Sequence, residues 1–437
     1  MTDRRSFLRS TAAAGAALAA GSASAGEKAS TAEEVKAAAH AAGGDEIKVA
    51  LIGCGGRGNG AGVQTLRADP GTRIVALADA FEKPMQTFLR VAGAIEAVAD
   101  RIDVPEDRQF TGLDCHTKLL DSVDVDLVIL ATPPGFRPAH YRAAVEAGKH
   151  VFAEKPVAVD GPGLRETLAV NELAKEKQLS VVSGLCWRYE TGLMEFVDRI
   201  QDGIIGRPVS AQSVRYSGYV GRPTPRDVSK TDFEHVVRNW FWQTWLSGDF
   251  CVEQFVHDLD MVCWALGEYP DSVLATGGRE VRDGGEFGNI YDHFAAVFDF
   301  ASGLQYSATT RHQNGCSNPY YNRIAGTNGT ADLMRYRAVS HDGGRLFRGK
   351  RGEVPMHQAE HDAMYRDLRA GKPRHDGEYM VQSTATGVMM RESAYTGKEV
   401  TRKQVLDSQE KLGTDNLAWD AEVPTQRVAV PGVTTLG

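Results

Sequence analysis

The sequence predicts an α/β protein that begins with a parallel β-sheet, and three observations support this fold class. Residues 47–52 form a short apolar run rich in β-branched side chains, as in a strand buried on both faces of a parallel sheet. This run leads directly into a glycine-rich segment over residues 53–58, after which a helical pattern continues through Leu66. A second apolar run over residues 73–78 then ends at Asp79. Strand, glycine loop, helix, strand and acid in this order predict a βαβ unit.

Length and charge limit the function classes that the chain can have. Its 437 residues are enough for two domains with a substantial core. The formal net charge is −8, but residues 1–25 carry three arginines against one aspartate, so the remainder has a charge of −10. An acidic body argues against a nucleic-acid partner, because phosphate binding needs clustered Lys and Arg. No run approaches about 18 apolar residues, and we therefore expect no stable membrane span.

The N-terminus has the pattern of an export signal. Arg4 and Arg5 precede a weakly apolar stretch rich in Ala and Gly, which ends in a small-x-small sequence. The segment resembles the twin-arginine signal, with Arg9 in place of the usual Lys; the alternative is a disordered tail with a chance arginine pair. We therefore expect a signal peptide over residues 1–25, a polar arm over residues 26–45, and a periplasmic or otherwise exported protein that uses the twin-arginine export machinery.

The six cysteines include no Cys-x-x-Cys pair. Cys54, Cys186, Cys251 and Cys263 lie within apolar or glycine-loop sequence. Export would permit disulfides, but these surroundings favour buried free thiols.

The glycine-rich segment has the G-x-G-x-x-G spacing of a dinucleotide-binding loop. Gly55 would let the backbone approach a pyrophosphate, Gly58 would let the helix pack closely, and the helix N-terminus favours an anion. Asp79 stands 21 residues after Gly58, where an acid binds a ribose 2′-hydroxyl and repels a 2′-phosphate, so NAD is favoured over NADP. A glycine turn in an unrelated α/β domain is the alternative. The loop residues expected to bind the cofactor are Gly53, Gly55, Gly56, Arg57 and Gly58.

Two further apolar runs continue the alternation of strands and helices. One, over residues 125–131, ends at Thr132 and Pro133; the other, over residues 151–153, ends at Glu154 and Lys155. Ligands bind at the carboxyl edge of such sheets, so these four strand-end residues are further candidates for cofactor binding.

The sequence Glu154-Lys155-Pro156 at a strand end carries a family resemblance. Together with Gly-Ile-Ile-Gly-Arg-Pro at 203–208, Gly-Thr-Asn-Gly-Thr at 326–330, Ala-Gly-Lys-Pro at 370–373 and the segment 391–398, it resembles the glucose–fructose oxidoreductase / inositol dehydrogenase (Gfo/Idh/MocA) family. The resemblance extends from about residue 47 to the end of the chain.

The resemblance implies a Rossmann domain over residues 46–160 and a C-terminal α+β domain over residues 161–437. The second domain would contain an open, mainly antiparallel sheet, whose outer face commonly mediates oligomers in the family; a homodimer or homotetramer is therefore expected. Local patterning agrees with this sheet, because the apolar runs at 294–300 and 304–310 are joined by a short loop with Gly, as in a hairpin.

Lys155 is the first candidate catalytic residue. Hydride transfer from an alcohol carbon to a nicotinamide needs a group that takes the hydroxyl proton and a cation or donor that stabilises alkoxide character. A surface lysine paired with Glu154 is the alternative from sequence alone. The resemblance implies the catalytic role, because this lysine position is catalytic in the family.

His257 is the second candidate, in a segment predicted to open a helix that runs to Gly267. At 100° per residue, Glu253, His257 and Asp260 fall within about 60° of one another, and Asp258 points elsewhere. A carboxylate one turn away can fix the tautomer of His257 and raise its basicity, which suits a general base. The family usually has Asp where Glu253 stands, so Glu253 either touches the substrate or orients His257.

Other interpretations of this segment stay open. Glu-x-x-x-His-x-x-Asp could supply metal ligands, but no companion Cys or His pair has ligand spacing, and we expect no metal. His257 could also serve only helix packing.

The aromatic segment 238–245 could stack on sugar faces or belong to the core. His140 is expected to be structural. Arg188 could either bind substrate or form a structural ion pair. The candidate substrate-binding residues are Arg188, Asp258, Asp260, His293 and Arg311.

These features favour an exported NAD(P)-dependent oxidoreductase acting on a CH–OH group of a sugar, polyol or glycoside. Free NAD is not expected outside the cytoplasm, so the cofactor would be held tightly and restored by a second substrate or within one cycle. Two alternatives remain: a redox-neutral NAD-dependent glycosidase or lyase, and a non-catalytic dinucleotide- or sugar-binding protein.

Overall fold

The computed structural model describes residues 45–282, 284–424 and 427–435. The predicted signal peptide (1–25) and all of the predicted arm except residue 45 lie outside the described residues. Within the described chain, no helix combines the length and the apolar character needed to cross a membrane.

The strands and helices alternate through the first half of the chain. The strands are β1 (Ile47–Ile52), β2 (Thr72–Asp79), β3 (Gln109–Thr111), β4 (Leu127–Leu130), β5 (His150–Ala153), β6 (Val181–Ser183), β7 (Pro208–Ser217), β8 (Ser272–Gly278), β9 (His293–Asp299), β10 (Gln305–His312), β11 (Tyr320–Gly326), β12 (Gly329–Asp332), β13 (Arg337–Ser340), β14 (Arg345–Arg348) and β15 (Val400–Thr401). The helices are α1 (Gly56–Ala68), α2 (Glu82–Gly93), α3 (Glu96–Ala99), α4 (Cys115–Ser122), α5 (Arg137–Glu146), α6 (Gly161–Glu176), α7 (Thr191–Gln201), α8 (Asp232–Arg238), α9 (Thr244–Ser247), α10 (Phe250–Glu253), α11 (Val256–Leu266), α12 (Met356–Arg369), α13 (Gly377–Thr396) and α14 (Arg402–Asp407).

The first sheet is parallel and has the strand order β3-β2-β1-β4-β5-β6. Its centre is β1, where Ile52 pairs with Ala78 on one side and with Leu130 on the other. Most residues of the central strands are apolar and buried between helices on both faces, and the predicted strands at 47–52, 73–78, 125–131 and 151–153 are confirmed. The predicted domain boundary at residue 160 is too early for this sheet, because β6 adds to its edge beside β5.

The second sheet has the strand order β14-β13-β12-β11-β7-β10-β9-β8-β15. Its paired strands are antiparallel except β7 and β10, and the two edges do not meet, so the predicted open, mainly antiparallel sheet is confirmed. The predicted hairpin is also present, with Gln305 of β10 opposite Asp299 of β9. Helices α11 and α13 pack on one face of this sheet, against β7 and β8, respectively.

Two late helices return the chain to the first domain. Helix α12 packs on α1, and α13 packs on α6 as well as on β8, so one continuous core joins the two sheets. The prediction of buried free thiols is confirmed at Cys54, Cys186, Cys251 and Cys263; none of the six cysteines forms a disulfide.

Candidate active site

A cleft of about 490 Å³ lies along the carboxyl edge of the first sheet. It is lined by the glycine loop after β1, by Asp79 after β2, by the loop after β4 and by Lys155 after β5. Strands β2 and β5 are three strand spacings apart, which is about 14 Å at roughly 4.8 Å per spacing. The cleft is therefore long enough to have two distinct ends, one at Asp79 and one at Lys155.

The glycine loop has the steric requirements of a dinucleotide cradle. Gly53 has a φ of +93°, and a Cβ there would come within 2.6 Å of the backbone of Ala131. A Cβ on Gly58 would collide with the carbonyl oxygen of Gly53. By contrast, a Cβ on Gly55 or Gly56 would have no protein atom within 4 Å, and both residues line the cleft. The loop is thus tightly packed on its inner side and open where a pyrophosphate would lie, so the residues fit the predicted cofactor.

Asp79 is fixed at one end of the cleft by two backbone groups. Its carboxylate accepts hydrogen bonds from the Cys54 N–H at 2.7 Å and from the Phe81 N–H at 3.0 Å. Burial raises the pKa of Asp79, although these two hydrogen bonds act to lower it. A carboxylate has about four acceptor sites, so Asp79 can still accept hydrogen bonds from ribose hydroxyls.

Arg57 links the glycine loop to the loop after β5 and to α12. Its guanidinium forms ion pairs with Glu154 and, at 2.9 Å, with Glu360. Burial acts to lower the pKa of Arg57, but the two carboxylates outweigh it and raise that pKa. The predicted cofactor residues Arg57 and Glu154 both line the cleft, as do Thr132 and Pro133.

Arg137 also lines the cleft, although it was not among the predicted site residues. Its buried guanidinium donates hydrogen bonds to the carbonyl oxygens of Thr132 and Pro156, which belong to the loops after β4 and β5. Burial lowers the pKa of Arg137 to about 10. Arg137 therefore holds together the two loops that carry the candidate nicotinamide-side residues, and no sequence motif marks it.

At the other end of the cleft, Lys155 forms an ion pair with Glu253. Its Nζ lies 2.9 Å from Oε1 of Glu253 and also donates a hydrogen bond to the Glu253 carbonyl oxygen; each side chain is only 14% exposed. The predicted helix from residue 253 to Gly267 is interrupted, because α10 ends at Glu253 and α11 begins at Val256. Glu253 is therefore directed to Lys155, and the predicted orientation of His257 by Glu253 is not what the structure has.

His257 lines the same end of the cleft. Its Nδ1 atom is buried and has no hydrogen-bond partner among the described residues. Burial, and then the positive charges of Lys155 and Arg215, hold the pKa of His257 well below its usual value. The imidazole is thus neutral at neutral pH and can accept a proton.

A second histidine, His357 of α12, also lines this end of the cleft. Its Nδ1 lies 3.4 Å from Oε1 of Glu360, and its Nε2 lies 3.9 Å from the Cys186 sulfur. Burial, followed by the charge of Arg57, lowers the pKa of His357. Cys186, His357 and Glu360 offer donor atoms within 4.8 Å of one another, but Arg57 already binds Glu360. The sequence carries no signal for His357, because only the packing of α12 on α1 brings it here.

Comparison with known proteins agrees with this geometry. Residues 47–185 match a family described as "Oxidoreductase family, NAD-binding Rossmann fold", and residues 194–332 match the "GFO/IDH/MocA C-terminal domain". The chain belongs to the Gfo/Idh/MocA family. The predicted family and the predicted enzyme class, an NAD(P)-dependent oxidoreductase acting on CH–OH groups, are thereby confirmed.

Individual Gfo/Idh/MocA relatives are distant from this chain. An inositol 2-dehydrogenase of Rhizobium meliloti is 26% identical over 304 residues, which is 67% of this chain and 77% of that protein. A glycosyl hydrolase family 109 protein of Streptomyces coelicolor is 30% identical over 37% of this chain and 32% of its own length. The solved structure of an aldose-aldose oxidoreductase from Caulobacter crescentus superposes with a TM-score of 0.62 at 18% identity, covering 82% of this chain and 99% of that one.

In this Gfo/Idh/MocA protein, two predicted substrate residues bind each other. The Nε and Nη2 atoms of Arg188 lie 2.8–3.0 Å from the carboxylate oxygens of Asp260, which also accepts a hydrogen bond from Ser383. Asp260 is fully buried, because α11 presents it to the interior and not to the cleft beside His257. Arg188 is therefore a structural ion pair, the alternative that the sequence had left open.

The other three predicted substrate residues also have protein partners. Asp258 is buried and accepts hydrogen bonds from Asn322 at 2.9 Å and Arg215 at 3.2 Å. His293 pairs with Asp292 at 2.8 Å, and Arg311 donates to the carbonyl oxygen of Ser317. Among the described residues, the cleft lining includes none of Arg188, Asp258, Asp260, His293 and Arg311, so the structure does not bring these predicted residues to the site.

His140 and the aromatic segment 238–245 were minor candidates in the sequence, and both lie at the cleft. His140 is buried and lines the cleft. It shares a 3.0 Å hydrogen bond with Thr132, and its ring packs at a tilt of 32° on the His116 ring, with the centroids 3.9 Å apart. Of the aromatic segment, Trp242 and Trp245 are buried, and Trp240 lines the cleft. The segment is thus partly core, and its half-buried residues Arg238 and Trp240 line the cleft.

Proposed function

We propose that this protein is an exported oxidoreductase that oxidises a CH–OH group of a sugar, polyol or glycoside and keeps its NAD bound between turnovers. The observation that carries the proposal is the position of Lys155, paired with Glu253 and beside the neutral His257, at one end of a cleft whose other end is Asp79. Bound NAD would supply the hydride acceptor.

The proton of the substrate hydroxyl goes to His257 in this proposal. Its Nδ1 atom is buried, so Nε2 is the nitrogen assigned to accept the proton. Because the pKa of His257 is held well below its usual value, the imidazole is unprotonated over the neutral pH range and can take the substrate proton.

Lys155 holds the reacting oxygen. An ammonium group has three N–H donors, and two of those on Lys155 are taken by the carbonyl oxygen and the carboxylate of Glu253. The third remains for the substrate oxygen, whose developing negative charge it stabilises. Glu253 fixes the direction of that donor, and Arg137 holds the adjoining Pro156 in place.

NAD, rather than NADP, is proposed as the cofactor. A 2′-phosphate would bring a second negative charge next to the Asp79 carboxylate, which is held in place by the Cys54 and Phe81 amides. Retention of the cofactor follows from the proposed export: the twin arginines at residues 4 and 5 would direct the protein to a compartment without free NAD.

A second candidate is a redox-neutral glycosidase or lyase, in which the substrate is oxidised transiently and the hydride returns. Elimination of a leaving group needs a second proton transfer, and His357 offers a second histidine of lowered pKa in the same cleft. The Streptomyces coelicolor relative, named as a glycosyl hydrolase family 109 protein, gives this candidate further support.

A homodimer or homotetramer is proposed through the outer face of the second sheet. Leu274 of β8 and Val297 of β9 are exposed there and lie opposite each other in the register of the two strands. Exposed apolar side chains on paired strands favour contact with another copy of the chain.

One experiment tests the proposal and separates the two candidates. The mature protein is denatured, any released dinucleotide is identified, and intact protein is titrated with sugars, polyols and glycosides while the absorbance of reduced nicotinamide is followed. Reduction by one sugar and reoxidation by a second would support the oxidoreductase. Aglycone release without net reduction would select the redox-neutral cycle. A protein that neither retains nor binds NAD would overturn both.

A further inference from the structure

The Asp79 end of the cleft is covered by a segment from far along the chain. Phe81, two residues after Asp79, lies beneath the guanidinium of Arg238, at 3.9 Å from the ring centroid. The Trp419 ring lies 5.4 Å from the same phenyl ring, with an interplanar angle of 35°. We call residues 232–245 together with Trp419 the cover.

The cover forms a wall of the cleft. Val237, Arg238 and Trp240 line the cleft together with Asp79 and Phe81. In a Rossmann domain, the acid at the end of the second strand marks where the adenosine ribose binds. The cover is therefore at the adenosine end, about three strand spacings from Lys155. From the sequence, this aromatic segment could have stacked on sugar faces, whereas its cleft-facing residues lie at the opposite end from the proposed reacting groups.

The cleft-facing side of the cover is held rigidly. The Nε and Nη2 atoms of Arg238 lie 2.9 Å and 2.6 Å from Oε1 of Glu234, one turn earlier in α8. This ion pair fixes the guanidinium over Phe81, and Arg238 also lines the cleft. A planar guanidinium and aromatic rings are groups on which a purine base stacks.

The cover is also packed into the body of the protein. Phe233 and Trp245 are buried in a cluster with Phe136, Val236, Val237 and Leu246, against which Phe81, Leu113, Trp240 and Trp419 pack. The contact is close, because a Cβ on Gly135 would collide with the carbonyl oxygen of Trp245. Moving the cover away would expose this apolar cluster to water, which opposes opening.

From this geometry we propose that the cover encloses the adenosine half of NAD and slows its release, with Arg238 and Trp240 contacting the adenosine. The inference rests on the proposed function, because it supplies the means by which an exported enzyme retains its cofactor. It assigns the aromatic segment to cofactor retention and not to the choice of substrate.

The test measures release of the cofactor itself. Protein loaded with radiolabelled NAD is chased with excess unlabelled NAD, and the rate of label loss is compared between wild type, Arg238→Ala, Trp240→Ala and the double variant. Because each single variant removes one stacking contact with the adenosine, it should release NAD about tenfold faster, and the double variant faster still. Trp419→Ala should also release NAD faster than wild type does.

A matched control is Arg226→Ala. Arg226 precedes the cover and forms an exposed ion pair with its first residue, Asp232. Arg226 is not among the cleft-lining residues and an exposed pair contributes little, so its loss should leave the release rate unchanged. At saturating NAD, the KM for the substrate should be the same in Trp240→Ala as in wild type. Thermal unfolding checks that every variant is folded.

The outcomes separate this inference from the proposed function. Wild type that does not bind NAD at all would overturn the proposed function. Wild type that binds NAD, with equal release rates in wild type and the folded cover variants, would overturn the cover alone. A raised KM for the substrate with an unchanged NAD release rate would return the segment to substrate selection and would also overturn the cover.

Discussion

Lys155 Nζ and Glu253 Oε1 lie 2.9 Å apart, although the two residues are separated by 98 positions in the chain. The first follows the fifth strand of the parallel sheet, and the second ends the short helix α10. Their ion pair joins the dinucleotide domain to the second domain at the end of the cleft that we propose receives the substrate. Both side chains are largely shielded from water, so breaking the pair leaves a charge without its partner in a place of low polarity.

Glu253→Gln is expected to lower kcat more than it raises KM. The amide can still accept a hydrogen bond from Lys155, but it no longer neutralises the ammonium, whose direction toward the substrate oxygen becomes less defined. We expect a loss of about tenfold to a hundredfold in kcat, corresponding to about 1.4–3 kcal/mol of transition-state stabilisation. Steady-state kinetics with the substrate found by titration measures this, and Glu268→Gln, at a half-buried glutamate of the same domain that does not line the cleft, is the control. Unchanged kcat in Glu253→Gln would remove Glu253 from the mechanism.

His257→Gln is expected to lower kcat by about 10²–10⁴-fold, the usual contribution of a general base. The pH dependence of kcat/KM tests the lowered pKa of His257. A base of lowered pKa stays unprotonated below the usual histidine value of about 6.5, so kcat/KM should remain level as the pH falls through that value and decline only well below it. A decline centred near pH 6.5 would contradict the assignment, as would full activity in His257→Gln.

Gly55→Ala and Gly58→Ala form a matched pair for the cofactor cradle. The new methyl group on residue 55 meets no protein atom within 4 Å, whereas on residue 58 it collides with the Gly53 carbonyl. Gly55→Ala should therefore keep the thermal stability of wild type but bind NAD at least about tenfold more weakly. Gly58→Ala should lose stability by about 1–3 kcal/mol. Calorimetric NAD titration and thermal unfolding distinguish the two; wild-type NAD affinity in Gly55→Ala would argue against this cradle.

Arg137→Met tests the clamp between the two strand-end loops. Loss of the guanidinium leaves the carbonyl oxygens of Thr132 and Pro156 without its hydrogen bonds, at about 1–3 kcal/mol for each buried group left unpaired. The free energy of unfolding should fall by about 2–5 kcal/mol, and kcat should fall because Lys155 precedes Pro156. Urea unfolding and kinetics measure both effects. Arg142→Met, which removes a half-exposed guanidinium from the same helix, should change stability by less than about 1 kcal/mol. Equal stability losses in the two variants would contradict the clamp.

The parallel sheet could be predicted because its information is local. Short, mainly apolar and β-branched runs such as 47–52 favour strands covered on both faces, and the spacing of Gly53, Gly55 and Gly58 reflects steric limits within one short loop. Once the strands are parallel, their carboxyl ends meet at one edge. Asp79 and Lys155 could therefore be placed in one site without coordinates, and both line the cleft.

Side-chain partners could not be predicted in the same way. Helical spacing placed Glu253, His257 and Asp260 on one face, but the break between α10 and α11 directs Glu253 to Lys155, while Asp260 is buried with Arg188. Spacing describes one continuous helix. Which charge a carboxylate meets depends on the segment that packs against it, and that segment is distant in the chain.

By itself, the sequence determined that this protein has a dinucleotide-type parallel sheet, a glycine loop ready for a pyrophosphate and a lysine at the strand edge. Only the tertiary structure decided that Glu253 binds Lys155, that His357 joins the site and that Arg238 stacks over Phe81. The physical reason is the distance along the chain over which each interaction acts. Backbone sterics and strand burial follow from neighbouring residues, whereas ion pairs, stacking and desolvation act between segments that only folding brings together.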